Sequence, residues 1–234
     1  MKNIKVIFRA PTINEEVKEV WKVLNEYSWY KENNYSPKIP EHPKINELIG
    51  ISLKNNGLKN KHKKQIKDVV EEIYDKKYYE KCFEILEKSK KEIERVLPKF
   101  IEYNKEWKFK IPKKYEIVPI LYGPGGSYEP HKGIVYIVMR INNKRQNKKK
   151  SEYSLSSVLI HEMVHIGIQH LIQKFKITHN EKERIVDLFC CKSLKIKNYK
   201  MQKRGNKKVD KFILSNNFNL PVALKEYVKK YPRK

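Results

Sequence analysis

The stretch "SSVLIHEMVHIGIQHL" occupies residues 156–171, and its reading decides how the rest of the chain is understood. Leu155, Val158, Leu159, Met163, Val164, Ile166, Ile168, Leu171, Ile172 and Phe175 make this segment apolar in nearly every helical direction. A helix that is hydrophobic all round belongs in the middle of a domain. Ser151 or Ser154 can open it, and "KITHN" (176–180) breaks it, with Asn180 available to cap the next helix. Into the apolar middle of this segment the sequence places His161, Glu162 and His165. Burying such groups without partners is costly, so they predict a partner.

His161 and His165 are one turn apart, so both imidazoles point the same way. Glu162 lies about 100° around the helix, able to reach a water on a metal without being a ligand itself. This is the HExxH spacing of zinc sites. Three protein ligands and one open position are the catalytic zinc arrangement, so a third ligand is required. The extended pattern HExxHxxGxxH fails, because Ile168 and Leu171 stand where its glycine and histidine belong. His179, beyond the break, is one candidate. Glu183 in "ERIVD" (183–187) is the other, with Asp187 one turn further along the same face. Asp187 is one of four aspartates in the chain, and a metal-bound histidine commonly gives its second ring N–H to a carboxylate.

Working outward, "YEIVPILY" (115–122) and "IVYIVMRI" (134–141) read as strands, with Pro119 pushing the first toward an edge or a bulge. "GPGGSYEPHKG" (123–133) reads as a glycine-proline loop in which "GPGGS" lets a substrate backbone approach closely. "EKERIVDLFCCKSLKIK" (181–197) reads as a second helix. The first hundred residues are mainly helical: a short strand at 3–9 precedes a helix capped by Thr12 or Asn14. The proline-rich "YSPKIPEHPK" (35–44) then leads to a long helical pattern from about Lys61 to Leu97 that Pro98 ends or kinks. Trp21 to Tyr30 read as a core stripe. The fold expected is α+β, with residues 1–105 a mainly helical N-terminal region. Residues 106–234 are expected to form a second domain with a basic tail.

Composition bounds the function. The 234 residues carry 52 Lys+Arg against 27 Asp+Glu, a formal charge of +25. The lysines are spread along the chain, so "NNKRQNKKK" (142–150) and "KNYKMQKRGNKKVDK" (197–211) read first as solvated loops and second as a patch for an anionic partner such as nucleic acid. Three cysteines, two of them adjacent, imply a reducing, cytoplasmic compartment. The N-terminus has no secretory signal pattern, and no apolar run is long enough for a membrane span.

"HEMVH" followed by "ERIVD" at helix-turn-helix distance resembles the gluzincin metallopeptidases, most closely the small archaeal minigluzincins. The resemblance covers about residues 110–195. For residues 106–234 it implies a zincin-like metallopeptidase domain of small mixed sheet, active-site helix and glutamate helix. It implies that His161, His165 and Glu183 hold the zinc, that Asp187 hydrogen-bonds a zinc histidine, and that Glu162 is the general base for peptide hydrolysis. It also asks for a group that steadies the reaction intermediate, with His179, Tyr128, His131 and Tyr136 as candidates. The lower subdomain of the large gluzincins has no counterpart here. A rival resemblance is to DNA-dependent proteases of the SprT/Spartan type, in which His179 would be the third ligand. A non-catalytic zinc-bearing or nucleic-acid-binding protein is the remaining alternative. The C-terminal "LPVALKEYVKKYPRK" (220–234) reads as a short amphipathic helix that could cover the cleft and keep a protease latent.

Overall fold

Strand residues buried on both faces read as continuous apolar runs, and the two runs after Trp107 behave in this way. The computed structural model describes residues 4–139, 154–197, 199–202 and 206–233, and the fold is mixed α+β around a small mixed sheet. The strand order is β1-β2-β4-β3. Strands β1 (Lys5–Phe8), β2 (Lys114–Ile120) and β4 (Ile134–Val138) run parallel, while β3 (Gly126–Glu129) pairs antiparallel with β4 at one edge. Alternation along the strands assigns their faces. Tyr115, Ile117, Val135 and Ile137 belong to the main core, whereas Val118, Ile120, Ile134 and Tyr136 turn to the other side.

Helices α5 (Lys76–Glu102) and α7 (Leu155–Lys174) pack on the first face. Helix α1 (Ile13–Asn25) lies on the second, where Glu15 meets the Tyr136 hydroxyl and Glu19 accepts from Ser127 of β3. Thr12 caps α1 in a capping box with Glu15. Helices α1, α3 (Pro43–Asn55) and α4 (His62–Ile73) share a second, smaller core of Val20, Leu24, Ile45, Leu48, Ile66, Val69 and Val70. The short α2 (Tyr27–Glu32) follows α1 directly, and the short α6 (Asn104–Trp107) follows α5 ahead of β2. After the sheet come α8 (His179–Leu188), a π-helical turn (Phe189–Ser193), α9 (Lys208–Ser215) and α10 (Leu220–Lys230). Beyond the strand at 5–8, α5 also ties the first hundred residues to the sheet, through Leu86, Ile93, Val96 and Phe100 in the main core.

Several local expectations change. "GPGGSYEPHKG" contains a strand: Gly126–Glu129 pairs residue for residue with Ile137–Ile134 of β4. Pro119 sits in a central strand, not an edge. The Glu116 amide bonds Gly133 on the β4 side, and alternation turns position 119 toward β1. There β1 has already ended, its last paired residue Phe8 lying opposite Ile117, so no ladder donor is missed. The long helical pattern breaks at Tyr74, where Asp75 caps α5. Pro98 does not end α5, which continues to Glu102 because Phe100 is fully buried beyond it. Helix α3, with Ile45, Leu48 and Ser52 buried, was not anticipated. Thr178, rather than Asn180, forms the capping box that opens α8. Ser154 caps α7. The basic run at 142–150, together with Ser151, lies outside the described residues, as do residues 198 and 203–205 of the second basic run. No helix among the described residues is long and apolar enough to cross a membrane.

Candidate metal centre

Helix α7 runs through the main core with thirteen buried residues, among them His161, Glu162 and His165. Gly167 lets it approach the chain before β2: a side chain there would overlap the Phe109 ring, and the Gly167 carbonyl accepts from the Lys110 amide at 2.9 Å. Helix α8 crosses beside α7 and presents Glu183 to both histidines. The His161 and His165 Nε2 atoms are 2.9 Å apart. Glu183 Oε2 lies 3.1 Å from His161 Nε2, and Glu183 Oε1 lies 3.4 Å from His165 Nε2. These three buried residues form a group that can hold a metal ion.

The donor set fits zinc. Ligands at ~2.0–2.1 Å in a tetrahedron stand about 3.3 Å from one another, close to the spacings observed. The protons agree. The Tyr199 hydroxyl donates to Asp187 Oδ1 at 2.6 Å and therefore receives the Nδ1–H of His161, also at 2.6 Å. That arrangement turns Nε2 toward the cluster, where, despite burial, the contacts with Cys190 and Glu183 hold the His161 pKa well above its ordinary value, so a bound cation would take the place of a proton. Burial pulls the His165 imidazole down to about 3, which keeps it neutral, and its buried Nδ1 has no hydrogen-bond partner among the described residues. Two imidazoles and a carboxylate thus converge on one point, where a bound cation would replace the proton held on His161 Nε2.

Asp187 is fully buried on the turn after Glu183, but it does not bond a histidine directly. Its Oδ1 stays 3.7 Å from His161 Nδ1 because the Tyr199 hydroxyl stands between them, and its Oδ2 accepts from the Gln202 amide at 2.6 Å. The Gln202 side chain donates to Glu183 Oε2 at 3.0 Å. Tyr199 and Gln202 give no signal in the sequence, because they sit in a lysine-rich stretch with no periodicity. His179 is not part of the cluster: its Nδ1 is 3.8 Å from Glu183 Oε1 and its Nε2 faces the Tyr35 hydroxyl at 3.3 Å. Cys190 is a fully buried thiol on the π-turn, and burial pushes its pKa up.

Glu162 points toward β3. A side chain on Gly126 would overlap its carboxylate, so the glycine makes room for this protein's own carboxylate. Burial pushes the Glu162 carboxyl up to about 7, against the pull of His161. Two residues along β3, the Tyr128 ring stacks on His165 with centroids 5.0 Å apart. Lys182 donates to the Tyr128 hydroxyl at 3.2 Å and lies 3.4 Å from Glu183 Oε1. Although burial works against it, Tyr128 and Glu183 keep this ammonium charged.

The group opens into a cleft of about 1030 Å³. Its walls come from β3, α7 and α8 and, unexpectedly, from α1 and α2 through Lys22, Glu26, Trp29 and Tyr30. Tyr128, His131 and His179 line it; Tyr136 is on the far face of the sheet with Glu15 and Glu129. Helix α10 does not line the cleft. It packs on α9, and Tyr227 and Arg233 bond Glu181 at the start of α8, so no described residue of the tail covers the cleft. No protein-family model, no curated protein and no solved structure matches the chain.

Proposed function

We propose that this protein is a zinc-dependent metallopeptidase of gluzincin-like build and zincin-like fold, with Glu162 as the general base. The observation that carries the reading is the meeting of His161, His165 and Glu183 on the floor of an open cleft, with a second carboxylate, Glu162, directly beside them. Structural zinc sites are closed by four protein ligands, whereas a catalytic site keeps one position open. Bound there, zinc supplies Lewis acidity and makes a water acidic near neutral pH. His161, His165 and Glu183 hold the ion, and the Asp187–Tyr199 pair holds the His161 ring in its ligating tautomer. Glu162 takes the proton of the attacking water and hands it to the leaving amine. An extended substrate adds to the outer edge of β3, which no described strand occupies, its other edge being paired with β4. The SprT/Spartan-type alternative is disfavoured by the hydrogen bond between His179 and Tyr35, and a non-catalytic site has no use for Glu162.

Metal analysis and a cleavage assay test this together. A single zinc ion is expected in the wild type and in His179→Ala, and loss of it in Glu183→Ala. Zinc-loaded wild type should cleave a denatured protein, and Glu162→Gln should keep its zinc and lose that activity by about 10²-fold or more. Activity that survives Glu162→Gln, or that requires added DNA, would overturn the assignment.

A further inference from the structure

The wall contributed by α1 and α2 holds a group of aromatic rings that the peptidase chemistry does not use. Trp29 is 37% exposed and is the one aromatic among the exposed large hydrophobic residues described. It lines the cleft. Its ring stacks on Tyr35 with centroids 5.4 Å apart and planes 18° from parallel. Tyr30, buried, meets it edge-on at 5.3 Å, and His179 meets it edge-on at 5.4 Å. His179 is the first residue of α8 and approaches Glu183, so the aromatic group begins where the metal ligands end.

From this geometry we infer that Trp29, Tyr35 and His179 form a subsite taking an aromatic side chain of the peptide substrate, next to the bond that is cleaved. The inference rests on the peptidase reading of the cleft. Tyr30 on the same helix is buried, whereas Trp29 keeps 37% of its surface exposed and lines the concavity. Rings arranged in stacked and edge-on pairs offer further faces and edges of the kind that aromatic guests prefer. A cationic guest could also use the ring faces. Lys22 and Lys182 line the same cleft, however, and a chain of charge +25 repels it, against the single carboxylate of Glu26 on that wall. The platform is also held in advance: α1 is tied to the sheet through Glu19 and Ser127, and α8 by its capping box, so little ordering is required when a ring enters.

The test uses the full-length zinc-loaded protein and one peptide sequence carrying Phe, Ala, Glu or Lys at a single position beside the cleaved bond. The wild type should prefer Phe over Ala by about tenfold or more in kcat/KM. In Trp29→Ala, and in Trp29→Leu should the alanine variant unfold, that ratio should fall to about twofold or less. Cleavage with no preference for Phe, a preference for Lys, or a Phe preference that persists in a folded Trp29 variant would overturn the subsite and leave the peptidase assignment standing. Should the wild type cleave no peptide, the peptidase reading fails by itself. Binding of the same labelled peptides to zinc-loaded Glu162→Gln then decides: Phe must bind about tenfold tighter than Ala and lose that advantage in Trp29→Ala, and equal binding overturns the subsite.

Discussion

Tyr199 shows how much a single hydroxyl can decide. It accepts a hydrogen bond from His161 Nδ1–H and donates its own to Asp187, both at 2.6 Å, so one oxygen sets which nitrogen of His161 faces the metal group. Removing it as Tyr199→Phe leaves a fully buried Asp187 carboxylate short of a donor and His161 free to change tautomer. Zinc affinity measured against a competing chelator should weaken by about 10- to 100-fold, the usual cost of losing an outer partner of a metal histidine. An affinity equal to wild type would mean that the ring is oriented by packing alone. The HExxH residues are legible because their spacing is local, whereas Tyr199 reaches His161 from 38 residues away and carries no periodic signal.

At the scale of elements, strand β3 is the part most worth changing. Its alternation sends Gly126 and Tyr128 toward α7 and Ser127 toward α1, so four residues join the metal floor to the N-terminal helices. In Gly126→Ala the new methyl group meets the flexible end of Glu162, which can swing aside without unfolding the strand. On the proposed zinc-peptidase reading, the expected result is retained zinc, a Tm close to wild type and a fall in kcat of about 10²-fold, the scale of a misplacement near 1 Å. Loss of zinc instead would show that β3, not α7, holds the site together. The sequence hides this strand because glycines and prolines flank it, and only pairing with Ile134–Ile137 makes it a strand. The α7 helix is the opposite case: its apolar run and its Ser154 cap are both written locally.

At the scale of the whole molecule, the join between the N-terminal helices and the sheet is a buried carboxylate. Glu16 Oε1 accepts from the Tyr79 hydroxyl of α5 at 2.6 Å and from the Leu121 amide beyond β2 at 2.7 Å, while its Oε2 has no partner among the described residues. Burial pushes this carboxyl up to about 7 from 4.5. A carboxyl with a raised folded-state pKa holds its proton more tightly when folded. Its contribution to stability is therefore complete below about pH 4.5 and is lost as pH rises through about 7. Glu16→Gln, neutral at every pH, should flatten the decline in unfolding free energy between about pH 5 and 8 and be more stable at the upper end by roughly 1–3 kcal/mol. A decline unchanged by the substitution would show that other groups cause it.

By itself the sequence determined an α+β chain with a buried central helix, a helical first hundred residues, and two histidines and a glutamate held together on α7, because helical spacing brings such groups together within a few residues. Tertiary structure alone decided which carboxylate joins the histidines, since His179 and Glu183 are both near in sequence and only the crossing of α8 over α7 brings Glu183 to within 3.4 Å of both rings. It likewise decided that Tyr199 stands between His161 and Asp187, and that α1 and α2 wall the cleft. Those contacts join segments far apart along the chain, where no period or spacing records them.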